Sequence, residues 1–384
     1  MSESNSRSRA RKIRVAVLFG GQSEEHDVSL RSAQTVMNAL DSERFDAVPF
    51  GITRDGQWIT SGDPMAQLTA MSPLFSLTPA AQSTLLDSSN TDVSGAHLLP
   101  ADLAETIDVV FPVLHGPRGE DGTVQGLLEL AGVPYVGSGV LGSAVAMDKA
   151  MAKVVLGHHG VRQAPWLLVN REEWLRSPAI VQGRIATELG FPCFTKPANM
   201  GSSVGVSKVS SPAELDTAMR LAARLDRRIV VEKGIDAREI EISVLGNENP
   251  ITSCLGEVVS ANEFYDYESK YIDERSQLLV PADVPEKVIE EAGEMALTAF
   301  RALDLAGLAR VDFLLERKTM TLFLNEVNTL PGFTSISMYP MLWEASGMNI
   351  MELVQRLIEL ALERGGESSE LVGTGTAKGT DVNP

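Results

Sequence analysis

The 384-residue sequence contains only two cysteines, Cys193 and Cys254. They lie in separate apolar, strand-like runs, with no CxxC spacing and no histidine nearby. This scarcity predicts two buried, reduced thiols and is typical of a cytoplasmic protein.

Long hydrophobic runs and an excess of positive charge are also absent. The first fourteen residues are basic and rich in serine, but the apolar run Val15–Phe19 that follows is too short for a signal-peptide core. No stretch approaches the roughly 20 apolar residues of a membrane span. The formal net charge of -18 argues against non-specific binding to nucleic acid or anionic membranes. We therefore expect neither as a partner, although a small anionic ligand can bind where lysines and arginines gather.

The remaining composition is that of an α/β protein, with 44% hydrophobic residues and 32 glycines. The apolar run Ile13–Phe19, the pair Gly20-Gly21 and a helical pattern to Leu40 form a strand, a turn and a helix. This order is typical of the first unit of a doubly wound sheet. The GxGxxG spacing is absent, so a dinucleotide site is not favoured.

The strongest functional signal is a predicted β-hairpin, in which a polar turn near Arg317–Thr321 separates two apolar runs. A register that pairs Glu316 with Leu322 sets two further pairs opposite each other, Asp312 with Glu326 and Arg310 with Asn328. Because side chains alternate along a strand, these four polar residues share one face. Two carboxylates across a ladder repel each other, so a positive charge is expected between them.

Oxygen ligands alone suit a hard cation such as Mg2+, and the predicted ligands are Asp312, Glu326 and Asn328. The chain then turns at Pro331 and Gly332, and it offers backbone N–H groups and hydroxyls beside this face. A surface hairpin with a solvated polar face is the alternative. It explains one or two acidic residues, but not four convergent polar ones.

A second signal is Lys196, which ends an apolar strand before a loop with Ser202 and Ser203 between Gly201 and Gly205. Such a loop lets backbone amides approach phosphate oxygens, and the lysine adds a point charge. The Walker A spacing is absent. A glycine-serine hairpin turn with a solvent-reaching lysine is the alternative.

The run from Val230 to Lys233 is an apolar strand that turns polar, and Glu239 follows six residues later. Its backbone can pair with an adenine edge, and a carboxylate can accept both ribose hydroxyls. An ordinary strand end is equally compatible. The nucleotide interpretation depends on the position of this segment between the glycine loop and the hairpin.

Three further features each have a functional and a structural interpretation. His115 follows a buried strand, at the edge where ligand crevices form, and is either a ligand contact or a structural histidine. Glu25 is either a first-turn acid favoured by the helix dipole or a carboxylate for a substrate ammonium. The loop Phe264–Tyr271, with three tyrosines, is either a mobile lid or a half-exposed edge strand.

Together these motifs resemble the ATP-grasp enzymes and, most closely, the D-alanine–D-alanine ligase family. The resemblance covers residues 13–364, and it rests on 20–29, 115–122, 147–149, Lys196 with its loop, 232–233, 267–271, Asp312, 325–328 and 331–332. It implies an ATP-grasp fold with an N-terminal doubly wound, Rossmann-like substrate-binding domain (13–139), a central α+β nucleotide domain (140–235) and a C-terminal α/β catalytic domain (236–365). A disordered arm (1–12) and tail (366–384) flank them, and residues 61–102 form an insertion to which we assign no function.

The resemblance also implies the cofactors, ATP with two Mg2+ ions that Mn2+ can replace. Asp312, Glu326 and Asn328 would ligate the ions. The implied nucleotide-binding residues are Lys149, Lys196 and Lys270 at the phosphates, Ser202 and Ser203 in the loop, Glu232, Lys233 and Ile235 at adenine, and Glu239 at the ribose.

For the substrates, the resemblance implies that Glu25 binds the ammonium of the first D-alanine and that His115 lies against its carboxylate. Ser337 would bind the carboxylate of the second. Arg310 and the Gly332 N–H would stabilise the oxyanion. Glu25, Ser202 and Tyr271 would form a hydrogen-bonded trio that closes the lid.

The implied activity is ATP-dependent ligation of two D-alanines through an acyl phosphate, for peptidoglycan precursor synthesis by a cytoplasmic homodimer. The alternatives are D-alanine–D-lactate ligation, another ATP-grasp carboxylate–amine ligation, and a non-catalytic nucleotide-binding protein. Tyr271 favours the dipeptide over the depsipeptide, because the D-lactate relatives lack it. Arg310 argues against a pure binder, which has no need of an oxyanion arginine.

Overall fold

A computed structural model of the protein describes residues 11–72, 103–259 and 277–373. In chain order, the strands are β1 (Ile13–Gly20), β2 (Phe45–Ile52), β3 (Trp58–Ile59), β4 (Val109–Val113), β5 (Trp166–Asn170), β6 (Cys193–Pro197), β7 (Ser207–Val209), β8 (Arg228–Lys233), β9 (Ala237–Gly246), β10 (Ile251–Val259), β11 (Gln277–Leu279), β12 (Gly307–Glu316) and β13 (Leu322–Asn328).

The helices are α1 (His26–Ala39), α2 (Pro64–Met71), α3 (Leu103–Thr106), α4 (Thr123–Leu130), α5 (Val140–Met147), α6 (Lys149–His158), α7 (Arg171–Arg176), α8 (Pro178–Glu188), α9 (Pro212–Leu225), α10 (Glu286–Ala302), α11 (Met338–Ala345) and α12 (Ile350–Gly373). Across the described ranges, no helix combines the length and apolar character needed to cross a bilayer.

The described strands form three sheets, with the orders β3-β2-β1-β4, β5-β8-β6-β7 and β11-β10-β9-β12-β13. In the first, β1 pairs in parallel with β2 and β4, as expected for a doubly wound unit. Beyond β4, Tyr135 makes only an isolated bridge to Val110. The chain leaves the sheet at Gly137, whose φ is +102°.

The two glycines after β1 shape the entrance to α1. Gly20 has a φ of +92°, and a Cβ there would lie 2.1 Å from the carbonyl oxygen of Ile52. The N–H of Gly21 donates to that oxygen at 2.8 Å. Only glycine accommodates this turn, which places Glu25 at the start of α1 beside the carboxyl end of the sheet.

The central sheet is antiparallel and buries one face against α8 and α9. Leu215, Met219 and Ala222 recur at helical spacing on α9 and are buried. Because side chains alternate on β6 and β8, Lys196 and Glu232 point away from this core.

The C-terminal sheet is also antiparallel. Ile240, Ile242 and Val311 belong to the apolar core that α10 covers. Alternation therefore places Glu241 and Arg310 on the opposite face, toward the cavity described below. The mixed architecture confirms the expected α/β fold class.

The chain ends differ in part from expectation. Helix α12 runs to Gly373, so the predicted start of the disordered tail, residue 366, is too early in the sequence. Residues 374–384 lie outside the described residues. Extending a formed helix requires far less free energy than nucleating one, and no proline stops α12 there. Arg11, predicted to belong to the arm, pairs with Asp108 at 2.8 Å. Residues 73–102 of the insertion are outside the described residues, and its residues 64–71 form α2.

We expect Gly20→Ala to lower the free energy of unfolding more than Gly132→Ala does. Both positions have positive φ, but a Cβ at Gly132 meets nothing within 4 Å. A left-handed backbone conformation lowers the stability of an alanine variant by about 1–2 kcal/mol. At Gly20 the steric clash lowers it by about a further 1–3 kcal/mol. Denaturant unfolding of both variants measures the difference, and equal losses would contradict the close packing of Gly20.

Candidate active site

The register of the β12–β13 hairpin is confirmed where function was predicted. Arg310 pairs with Asn328, and Asp312 pairs with Glu326. Near the turn the predicted register is wrong, because Leu322 pairs with Leu315 rather than with Glu316.

A β-bulge causes this difference, since Phe313 pairs with Leu324 and leaves Asn325 as an extra residue. Asn325 and Glu326 are consequently both half-buried, while Leu324 remains in the core. The extra polar side chain reaches the central sheet, where Asn325 Oδ1 accepts a hydrogen bond from Lys196 Nζ at 3.3 Å.

A cavity of about 720 Å³ lies where the N-terminal, central and C-terminal segments meet. Every predicted site residue within the described ranges lines it: Glu25, His115, Lys149, Lys196, Ser202, Ser203, Glu232, Lys233, Ile235, Glu239, Arg310, Asp312, Glu326, Asn328, Gly332 and Ser337. Lys270, Tyr271 and the rest of the predicted lid lie outside the described residues.

The acidic face of the hairpin contains its own countercharge. Arg310 donates to both oxygens of Asp312, at 2.7 and 2.8 Å. Asn328 Nδ2 donates to Asp312 Oδ2 at 2.9 Å, and Lys149 Nζ lies 3.9 Å from Glu326 Oε2. Part of the positive charge expected between the carboxylates is therefore supplied by side chains.

No cluster of three or more histidine, cysteine or acidic side chains suited to a metal occurs in the part of the chain that the structure describes. A cation here would bind the two carboxylates, the Asn328 amide oxygen and oxygens from a substrate. That donor set fits Mg2+, which prefers oxygen and usually keeps substrate phosphates among its ligands.

Glu241 is a site residue that the sequence reasoning missed. It lies opposite Asp312 on β9, and its Oε2 is 2.9 Å from Arg310 Nε. The available signal was the spacing of Glu239 and Glu241, two residues apart in an apolar strand and hence on one face. Arg310 is thus held between two carboxylates.

The central sheet contributes a buried lysine–glutamate–lysine cluster. Glu232 Oε2 lies 2.7 Å from Lys196 Nζ, and Glu232 Oε1 lies 2.9 Å from Lys153 Nζ. Burial favours the neutral acid, but the two lysines outweigh it and lower the pKa of Glu232 to about 2. Lys153 was also missed, although its spacing of four residues from Lys149 places both on one face of α6.

The glycine-serine loop brings the central sheet against the N-terminal sheet. Ser202 and Ser203 have φ values of +49° and +59°, a rare left-handed pair for residues other than glycine. A Cβ on Gly201 would lie 4.0 Å from Glu25 Oε2. The loop therefore lies beside the N-terminal end of α1, where Glu25 is located. Lys149 Nζ donates to the carbonyl oxygen of Met200 at 2.6 Å.

His115 connects the N-terminal sheet to the segment after β13. Its Nδ1 is 3.0 Å from the carbonyl oxygen of Leu330 and 3.9 Å from Glu120 Oε1. Its Nε2 is buried and has no hydrogen-bond partner among the residues described. Burial lowers the pKa of His115, but Glu120, Glu25 and the Leu330 carbonyl more than compensate, so the pKa is raised. Glu120 lies in the motif at residues 115–122, where no role was predicted for it. In the structure, its carboxylate interacts with the His115 imidazole.

The turn after β13 is closely packed. Ser337 Oγ accepts from the Thr334 N–H at 3.0 Å and lies 2.7 Å from Thr334 Oγ1. A Cβ on Gly332 would lie 2.9 Å from Ser337 Oγ. A larger residue at 332 would therefore displace this hydroxyl.

Two family profiles match the sequence. The D-ala D-ala ligase N-terminus matches residues 14–138, and the D-ala D-ala ligase C-terminus matches residues 155–359. The chain belongs to the D-alanine–D-alanine ligase family. The resemblance found in the sequence is thereby confirmed, and the protein is an enzyme of the ligase class. Enzymes of this family are ATP-dependent and act on small molecules.

Relatives within the family align over nearly their whole length. The D-alanine–D-alanine ligase of Deinococcus radiodurans is 51% identical and covers 92% of this chain and 99% of that protein. The D-alanine–D-alanine ligase of Geobacillus kaustophilus is 49% identical, and the alignment covers 94% of this chain and 98% of that protein. Among solved structures, the D-alanine–D-alanine ligase of Coxiella burnetii gives a TM-score of 0.78 at 32% identity, covering 95% of this chain and 98% of that one. VanG, a D-Ala:D-Ser ligase from Enterococcus faecalis, gives a TM-score of 0.76 at 33% sequence identity. That alignment covers 91% of this chain and 100% of the VanG chain.

The Glu232 cluster predicts a pH dependence of stability. The folded pKa of about 2 is below the ordinary 4.5, so the unfolded chain binds more protons between these values. Stability from this group is present above pH 4.5 and is lost as the pH falls toward 2. Between pH 2 and 4.5, Glu232→Gln should reduce the slope of unfolding free energy against pH. The reduction should correspond to at most about one bound proton, and denaturant unfolding across this pH range measures it. An unchanged slope would contradict an ionised Glu232 in the folded state.

Proposed function

We propose that this enzyme ligates two D-alanine molecules to D-alanyl-D-alanine, with conversion of ATP to ADP and phosphate, in the synthesis of peptidoglycan precursors. The observation that carries the proposal is that one cavity is lined by the polar hairpin, by Lys149 and Lys196 and by the candidate substrate residues that the structure describes. Family membership narrows the chemistry to this reaction class.

The nucleotide would lie between the central and C-terminal sheets. Lys149 and Lys196 would neutralise phosphate charge, with Ser202 and Ser203 offering backbone and hydroxyl groups. Adenine would lie against Glu232 and the backbone of Lys233 and Ile235, and the ribose against Glu239. Lys270 would add a further phosphate contact.

Asp312, Glu326 and Asn328 would hold two Mg2+ ions, with Mn2+ as a possible substitute. The ions would supply Lewis-acid neutralisation of the charge that passes to ADP. This role fits the cross-strand pair Asp312–Glu326, because opposed carboxylates gain most from a shared cation.

In the first step, the carboxylate of one D-alanine attacks the γ-phosphorus of ATP. A P–O bond forms as the bond to ADP breaks, and the product is an acyl phosphate. In the second step, the free amine of the other D-alanine attacks the acyl carbon. The C–N bond forms, phosphate leaves and the amine loses its proton.

Charge develops on the carbonyl oxygen in the second step. Arg310 and the Gly332 N–H would stabilise it, an oxyanion-hole role that depends on groups held in place beforehand. Arg310 meets that condition, because Asp312 and Glu241 fix its guanidinium.

The first D-alanine would bind with its ammonium at Glu25 and its carboxylate at His115. The raised pKa of His115 favours the imidazolium, whose charge suits a carboxylate. Ser337 would bind the second carboxylate. Tyr271, with Ser202 and Glu25, would close a lid that keeps water from the acyl phosphate. We place the enzyme in the cytoplasm as a homodimer.

The function is tested by following ADP release with D-alanine, with L-alanine, and with D-alanine plus D-lactate as the competing acceptor. Release with D-alanine alone, and D-alanyl-D-alanine as the product by mass spectrometry, is the expected result. A preference for L-alanine, or a depsipeptide as the main product, would overturn the assignment.

Asp312→Ala should lower kcat by at least about a thousandfold, because it removes a metal ligand and one anchor of Arg310. Steady-state rates across a Mg2+ titration and thermal unfolding measure activity and folding together. Asp216→Ala is the control, since Asp216 pairs with Arg220 on the exposed face of α9. Full activity of a folded Asp312→Ala enzyme would remove the metal assignment.

A further inference from the structure

Lys153 is a buried cation with no role in the chemistry described above. Its side chain is only 4% exposed, as is that of Glu232, and the Nζ–Oε1 distance between them is 2.9 Å. Glu232 and Lys196 line the cavity, whereas Lys153 is not among the described residues that do. Lys153 therefore contacts Glu232 from outside the cavity.

The two lysines contact different oxygens of one carboxylate. Lys196 binds Oε2 and also reaches Asn325 on the cavity side, so a nucleotide phosphate would compete with Glu232 for its charge. Lys153 forms an ion pair with Oε1, and it does not line the cavity in which a phosphate would bind. When Lys196 turns to a phosphate, Lys153 remains as the cation that keeps a buried carboxylate ionised.

Helix α6 fixes Lys153 from two directions. Ala152 and Leu156 pack in the core of the C-terminal sheet, while Ala150 packs with Val230 of β8. Gln163 Nε2 donates to the Lys153 carbonyl at 3.0 Å. The ammonium is thus held against Glu232 by a helix that both sheets pack against.

We propose that Lys153 is a positioning residue for base selectivity: it holds Glu232 ionised and oriented to accept a hydrogen bond from the exocyclic amino group of a 6-aminopurine nucleotide. An ionised carboxylate offers only acceptors, so it repels the carbonyl oxygen of a 6-oxopurine. The inference rests on the nucleotide part of the proposed function, and not on the identity of the amino-acid substrates.

The test compares the Kd of ADP with that of IDP, which differ at the purine 6-position, by calorimetry on the full chain. We expect Lys153→Met to reduce the preference for ADP by about tenfold, as for the loss of one charge-assisted hydrogen bond, and Lys153→Arg to retain it. Arg228→Met is the matched control, because Arg228 forms a buried ion pair with Asp148 at the other end of β8, and neither residue lines the cavity.

A double-mutant cycle separates positioning from general destabilisation. If Lys153 acts only through Glu232, Lys153→Met should change the preference by less than twofold in a Glu232→Gln background, where the carboxylate charge is already removed. A wild-type preference in Lys153→Met, an equal loss in Arg228→Met, or a tenfold effect in the Glu232→Gln background would each overturn the proposal. Because these are binding measurements, a chain that binds ADP but fails to join D-alanine would refute the proposed function while leaving this inference standing.

Discussion

The arrangement of this cavity depends on the mutual neutralisation of charges that are largely removed from water. Arg310 between Asp312 and Glu241, and Glu232 between Lys153 and Lys196, are the two clearest cases. A buried charge without a partner is costly, so each member restricts where its neighbours can lie. Arg310, Lys196 and Glu232, which are proposed to contact substrates, are therefore each held in place by an oppositely charged group.

These networks also connect the parts of the chain. Lys196 on the central sheet reaches Asn325 on the C-terminal hairpin, and His115 on the N-terminal sheet reaches the carbonyl of Leu330. Phe333 packs edge-on against Phe111 at the same junction. The site is consequently built from contacts between segments, which explains how it can bring a nucleotide and two small substrates together.

The β12–β13 hairpin shows how much of the site the alternation of polar and apolar residues can predict. Alternation of polar and apolar residues predicted that Asp312 and Glu326 oppose each other, and the structure agrees. The same pattern could not reveal the bulge at Asn325, because a one-residue slip depends on the packing of Leu322 and Leu324 in the core. In the same way, spacing could suggest that Lys149 and Lys153 share a face, but not that they diverge, one toward the cavity and one behind Glu232.

The sequence by itself determined the class of fold, the family and the residue types of the site, because strand alternation, helical spacing and glycine turns are local and leave direct traces in residue order. Tertiary structure alone decided that Lys153, Glu241 and Glu120 belong to the same charge networks as the predicted residues. The partners of Lys153 and Glu241 lie on other strands, and Lys153 and Glu232 are far apart along the chain. Such pairings depend on burial and distance in space, which no local pattern records.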